Sequence, residues 1–396
     1  MSSLFVSGRG RSFVCLVWSC FAFACSHHDS LGDGGVGVVP DGAVGHADAI
    51  DAGAHVSIDA AVADGATPVV CSEPDSGLPS DVFCTGLYEG QDPTRHVSSA
   101  MPYTPGTKFW SDGAEKARFL YLPPNTQIDT SNLDAWKFPV GTKAWKEFRL
   151  DGKLIETRLF WKRSASKWES GTYIWDSTTT KAQLNTDLKG VILPNGYEIP
   201  TARDCGKCHH GGSDSLLGVE AVVLALPTAQ GATLTELVKM GALSAPPAQT
   251  QLTLPEDSTG KAASALGYLH VNCGMPCHST RGLGDETQLV LRLRADEIWG
   301  ASSRDAGVAL ADGGLVTDPV QRTDAYRATV NQMPTTASVA QKFPGAHRIV
   351  PGAHEQSLVW QLAHIRGNYQ MPPLVSHSVD DAGTAALAAW IDALPH

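Results

Sequence analysis

The 396-residue chain has no Lys or Arg run beyond short scattered pairs, and its 30 basic residues are outnumbered by 41 acidic ones. The electrostatic footprint of a nucleic-acid binder is missing, so nucleic acid is not an expected partner. There is no Gly-rich phosphate loop, no nucleophile elbow and no zinc-helix histidine pair, which removes the residues that kinase and hydrolase chemistry would need. The apolar run Phe13 to Ala24 is too short for a comfortable membrane span. Aromatic residues are absent from about Ser30 to Pro68, where Gly, Ala, Asp and Val alternate with repeated Asp-Gly turns. Such a stretch cannot bury enough surface to order itself and reads as a linker, with His46 and His55 as solvated linker residues.

What is present begins with an export signal. Arg9 and Arg11 precede the short apolar run, and Ala22-Phe23-Ala24 fits an A-x-A cleavage site. The next residue is Cys25, where a bacterial lipoprotein would be acylated, so a soluble periplasmic product and a lipid-anchored one are both open. The expected segments are a signal peptide over 1–24, a linker over 25–70, a lead-in over 71–95, a β-rich module over 96–200, a first cofactor segment over 201–257 and a final helical domain over 258–396.

Nine cysteines sort by position. Cys15 and Cys20 leave with the signal and Cys25 sits at its edge. Cys71 and Cys84 stand outside any motif and read as a disulfide, which suits an oxidising compartment and would contribute ~3 kcal/mol by the chain-entropy account. The remaining four form Cys205-Gly-Lys-Cys208-His209 and Cys273-Gly-Met-Pro-Cys277-His278.

Between His96 and Pro200 the sequence alternates in strand period, most clearly at Ala117–Leu122, Ala144–Leu150 and Leu154–Trp161, with the hairpin dipeptide Asp151-Gly152 between the last two. Gly171 to Trp175 would extend the meander. Its tryptophans read as core before they read as a ligand cleft. After Pro200 the period turns helical, over Thr233–Ala242, Thr259–Asn272 and a final helix from Asp380 to Leu394 capped by Ser378 or Asp380. The interval 301–356 reads as loops with short helices. The fold class is therefore α+β multidomain: an antiparallel β-rich module followed by mostly helical segments.

C-x-x-C-H sets two thiols on one helical turn, where they can add to the two vinyl groups of haem while the next residue offers its imidazole to the iron. Cys205, Cys208 and His209 meet that spacing. A redox dithiol, a disulfide and half a zinc site are the competing readings; export argues against zinc, and no βαβ setting supports a thioredoxin site. The second motif carries one extra residue, which calls for a bulged turn if Cys273, Cys277 and His278 hold haem. Its rival is a disulfide between Cys273 and Cys277 beside an idle His278.

The helix entering Cys273, Gln370-Met371-Pro372-Pro373 and the final helix bearing Trp390 together resemble a class I cytochrome c domain over roughly Thr259 to His396. That resemblance implies His278 as proximal ligand, Met371 as distal ligand and Trp390 packed on the last helix. Met333, also followed by proline, and His377 compete for the distal place. For the first motif Met240 is the nearest methionine, and no distal ligand is assigned. The combination of Phe138-Pro139-Val140-Gly141, Glu156-Thr157-Arg158 and Tyr173-Ile174-Trp175 ahead of the first motif is similar to an uncharacterised family of exported bacterial haem proteins, and it brings no substrate with it. The expected cofactor is one or two covalent haem c groups, and the expected function is electron transfer in the cell envelope to a redox partner protein. A dihaem peroxidase-like oxidoreductase with one open haem, and an envelope binding module with an accessory haem, are the alternatives. Asp285-Glu286 reads as a solvated pair.

Overall fold

The computed structural model describes residues 69–209, 214, 216–299, 308–309 and 315–396. The expected signal, Cys25 and most of the linker lie outside the described residues. Among the described residues no helix is long and apolar enough to cross a membrane.

Eight strands come first, β1 (Met101–Thr104), β2 (Glu115–Tyr121), β3 (Lys143–Leu150), β4 (Lys153–Ser164), β5 (Lys167–Trp175), β6 (Ala182–Leu184), β7 (Val191–Ile192) and β8 (Glu198–Ile199), and β9 (Gln230–Gly231) follows after two of the helices. Seven of them form one antiparallel sheet in the order β6-β5-β4-β3-β2-β1-β9, while β7 and β8 pair separately. The β3–β4 hairpin turns on Asp151 and Gly152, both at positive φ (49° and 75°), the backbone that matches strand twist and that Asp-Gly accepts at low cost. β4 is longer than its alternating core suggests and continues through Ser164, with register breaks beside Phe148 and Lys162.

Alternation sends Phe119, Trp145, Leu159 and Tyr173 to one face, where they pack with Val82, Leu87 and Trp175. The structure joins Cys71 to Cys84 at the start of this layer, with Cα atoms 5.2 Å apart. Glu147 is buried on the same face and collects Tyr88 Oη (2.8 Å), His96 Nε2 (3.0 Å) and an Arg149 guanidinium nitrogen (3.1 Å). Trp136, Trp145, Trp161 and Trp175 are all buried and belong to the core, while Phe148 and Phe160 of the sheet face a cavity. Trp110 lines the same cavity and Trp136 a smaller one.

The helices follow as α1 (Ala202–Cys208), α2 (Ala221–Ala225), α3 (Leu234–Lys239), α4 (Ala262–Leu269), α5 (Ala295–Trp299), α6 (Asp324–Arg327), α7 (Ala337–Lys342), α8 (Leu358–His364) and α9 (Asp381–Ala393). The sheet does not close at residue 200. β9 pairs with β1, and α2 is buried against Leu120, Phe138 and Ala144, so residues 201–257 complete the β layer's second core. All the described residues belong to one unit. α9 is capped by the Asp380 side chain, which accepts from Gly383 N at 3.1 Å, and it packs on α4. A Cβ at Gly383 would fall inside the Tyr268 ring, so the two helices meet through a glycine. Trp390 is fully buried there, with its indole N–H donating to Asp257 at 3.0 Å.

One carboxylate links the β layer to the helical half. Glu220 caps α2 by accepting from Val223 N (2.9 Å) and reaches His270 Nε2 (3.4 Å) and an Arg292 guanidinium nitrogen (3.6 Å), while His270 Nδ1 accepts from Leu293 N (3.1 Å). Burial alone would raise the Glu220 carboxyl, but His270 and Arg292 outweigh it and hold it below 4.5; Glu147 is held down in the same way by His96, Tyr88 and Arg149. A carboxyl with a lower pKa folded than unfolded contributes stability above its unfolded pKa, and that contribution is lost as pH falls through the folded value. The melting temperature is therefore expected to drop as pH falls below the ordinary carboxylate value, and Glu220→Gln is expected to flatten that slope. Glu220→Ala strands a buried histidine and arginine and is expected to cost about 3–5 kcal/mol in denaturant unfolding, a figure that an unchanged midpoint would refute.

Candidate functional site

The two Cys-Cys-His motifs are approached by different local structures. Thr201 and Asp204 form a capping box: the Thr201 hydroxyl accepts from Asp204 N (3.2 Å) and the Asp204 carboxylate accepts from Thr201 N (3.2 Å). This starts α1 at Ala202, three residues ahead of Cys205. Cys205 and Cys208 then sit one turn apart, and His209 ends the helix with its N–H on the Cys205 carbonyl at 3.0 Å. The His209 ring stacks on Phe160 of β4, centroids 4.1 Å apart at 27°.

The second motif is entered through a π-helical turn, His270–Gly274, that continues α4. Met275 N donates to the His270 carbonyl (2.7 Å) and His278 N to the Cys273 carbonyl (2.8 Å), both bonds spanning five residues. The helix expected over Thr259–Asn272 thus begins later, at Ala262, and widens at His270. The second of these bonds, from His278 N, takes up the extra residue of C-x-x-x-C-H, and Cys273 and Cys277 stand at i, i+4, positions that share a face. Gly282 and Gly284 let the following loop close over the motif. A Cβ on Gly282 would overlap the Cys277 carbonyl, and one on Gly284 would stand 2.7 Å from His278 Nδ1.

His278 has its tautomer set by a neighbour. Thr287 Oγ1 donates to the Gly284 carbonyl at 2.6 Å and lies 3.3 Å from His278 Nδ1. With its own hydrogen committed, that hydroxyl presents a lone pair, so Nδ1 is the donor and Nε2 keeps its lone pair for a ligand. Burial, assisted by Arg348, lowers the imidazole to about 4, which keeps it neutral.

Both motifs open on one cavity of about 420 Å³. Its walls include Cys205, Cys208, His209, Cys273, Cys277, His278 and Met371, with Phe109, Phe148, Phe160, Leu269 and Leu291 as apolar lining. Met371 arrives on a loop held by its own N–H on the Leu362 carbonyl (2.7 Å) and by Gln370, which donates to the carbonyls of Pro372 (3.1 Å) and Ser376 (2.8 Å). The other distal candidates lie elsewhere. Met333 and Met240 are exposed, and His377 pairs with Glu198 at 2.7 Å, outside the cavity. Asp285 and Glu286 are exposed on a 3-10 turn.

All four motif cysteines are unbonded, so the structure does not pair Cys273 with Cys277. Instead the Cys208 and Cys277 thiols, one from each motif, lie close enough to act on each other's ionisation. That proximity, with Arg158 and Lys146 nearby, brings Cys208 down to about 7 against its burial. It raises Cys277, and burial raises Cys205 and takes Cys273 up to about 12. Among the described residues no three His, Cys, Asp or Glu side chains converge as a bare metal site, which leaves the half-zinc reading of C-x-x-C without partners.

No protein-family model, no curated protein and no solved structure matches this chain.

The pairing of Cys208 with Cys277 is directly testable. In full-length protein made without haem attachment, mild oxidation with diamide is expected to give a Cys208–Cys277 disulfide as the main product by peptide mass mapping. Dominant Cys205–Cys208 or Cys273–Cys277 linkage would show that the motifs do not meet.

Proposed function

We propose that this protein carries covalently bound haem c in this cavity and transfers electrons in the cell envelope. The observation that carries the reading is the convergence of both Cys-Cys-His motifs and Met371 on one apolar cavity, although they come from distant parts of the chain. The donor set fits the group. Each motif offers two thiols one helical turn apart for vinyl addition, His278 offers Nε2 with Nδ1 already engaged, and Met371 brings a soft thioether from a separate loop. Bound haem, held by His278 and Met371, would supply one-electron redox chemistry, and a thioether among its ligands would favour the reduced form and a higher potential. The protein's own part is to keep water out with its apolar lining, to hold His278 neutral and oriented, and to present Met371 on a braced loop. The packing of α9 on α4, with Trp390 buried between them, supports a class I cytochrome c arrangement for the helical half. Export, a redox protein as partner and acylation at Cys25 belong to the same proposal and rest on the sequence.

A second reading follows from a count. The cavity walls hold two histidines, His209 and His278, and one methionine, Met371, among the described residues. Those three residues would be one short of holding two haems on both sides, which would leave room for a substrate, as a dihaem oxidoreductase needs. Carbon monoxide binding by a high-spin fraction of the reduced protein would favour this reading; two fully low-spin haems would remove it.

Pyridine haemochrome assay of protein made with the c-type maturation machinery is expected to give close to two haems per chain. One haem would retire a motif, Cys277→Ala would identify which, and zero would overturn the proposal. Met371→Ala is expected to retain covalent haem and lower the midpoint potential of one centre; an unchanged potential would remove Met371 from the ligand set.

A further inference from the structure

We propose that Arg118 and Lys146, flanked by Lys116 and Arg158, form a wall inside this cavity that binds the carboxylate of an otherwise apolar ligand. The wall follows from strand register. Arg118 on β2 stands directly opposite Lys146 on β3, and Lys146 directly opposite Arg158 on β4, which makes a row of three like charges across three adjacent strands. Like charges in facing positions destabilise a sheet. Lys116, two residues before Arg118, adds a fourth on the same face, and all four line the cavity.

Other enclosed cations have partners, either carboxylates, as Lys162 has Asp214 and Arg149 has Glu147, or several carbonyls, as Arg348 has those of Thr287, Gln288 and Ala328. In the row itself Arg158 is answered by Glu156, at 2.6 and 2.9 Å. The other two members are not. Arg118 is 8% exposed, faces the Phe109 ring at 5.6 Å and has no carboxylate partner among the described residues. The Lys146 side chain has neither a hydrogen bond nor an ion pair among them, and the Lys116 ammonium donates to the Phe109 carbonyl. Desolvation and mutual repulsion bring Lys116 down to about 6 and Lys146 to about 7, the condition that an arriving anion relieves. Between the cations lie the Phe109, Phe148 and Phe160 rings, so the site accepts an acidic group on an apolar body.

The propionates of a tetrapyrrole have that chemistry, and so does a soluble fatty or aryl carboxylate. The wall rests on the haem reading only for which of these brings the carboxylate. The test uses the full-length chain made without haem attachment, with metal-free protoporphyrin IX and its dimethyl ester as probes, followed by tryptophan fluorescence. The free acid is expected to bind at least tenfold tighter than the ester. The Arg118→Met/Lys146→Met double variant is expected to lose that preference, and Arg118→Lys to keep it. Equal binding of acid and ester, or a preference that survives in the double variant, would overturn the proposal. Because the two cations are unanswered in the empty chain, the double variant is expected to melt at or above the parent temperature; a lower melting temperature would contradict that premise. Dodecanoate titrated into haem-loaded protein separates the sources. No binding assigns the carboxylate to haem, whereas binding lost in the double variant assigns it to a soluble ligand. An acid preference in a chain that carries no haem after maturation would sink the haem reading and leave the wall standing.

Discussion

Glu220 is buried where the β layer and the helical half meet, and both depend on its charge being answered. Its carboxylate closes the first turn of α2, the segment that covers the sheet's second core, and it holds His270, the residue at which α4 widens into the π turn. Arg292 and the Leu293 amide bind the strand of chain that returns past the second motif. Neutralising that carboxylate would unseat a helix, a turn and a returning segment together. The cost of burying a charge is offset here by several partners at once, and those partners tie the sheet to the cysteine motifs.

The π turn gives the irregular motif a physical account. In an α-helix residues three apart and four apart both share a face, so the extra residue leaves Cys273 and Cys277 on one side as an i, i+4 pair. Its added length is taken up by the wide turn that the His278 N–H closes on the Cys273 carbonyl, five residues back. Three glycines around the turn, at 274, 282 and 284, mark how closely backbone packs against it, since each leaves no room for a Cβ. The irregular spacing and the glycine-rich loop are thus two parts of one arrangement.

Much of this was legible in the sequence. The Asp151-Gly152 hairpin, the alternating strands, the final helix and its Asp380 cap rest on local signals, and the structure carries them at nearly the same residues. The capping box at Thr201 and Asp204 was also local, and a Thr followed three residues later by an acid would have revealed it. The cation row was not legible, because Arg118, Lys146 and Arg158 each look like the polar phase of an ordinary strand. Only the pairing of three strands puts them side by side. Nor did the sequence show that α2 and β9 belong to the β layer. Two-residue and five-residue elements have too little periodicity to announce themselves, and tertiary packing decides them. The meeting of the two motifs was hidden for the same reason, since it is made by the fold's closure and not by any neighbouring residues.

That meeting bears on the order in which the molecule is made. The cavity's remaining walls come from Leu358, Leu362 and the Met371–Ser376 loop, all of which are synthesised after both motifs. The space that Cys208 and Cys277 share thus has its full lining only once α8 and the Met371 loop, the last-made of its walls, are in place.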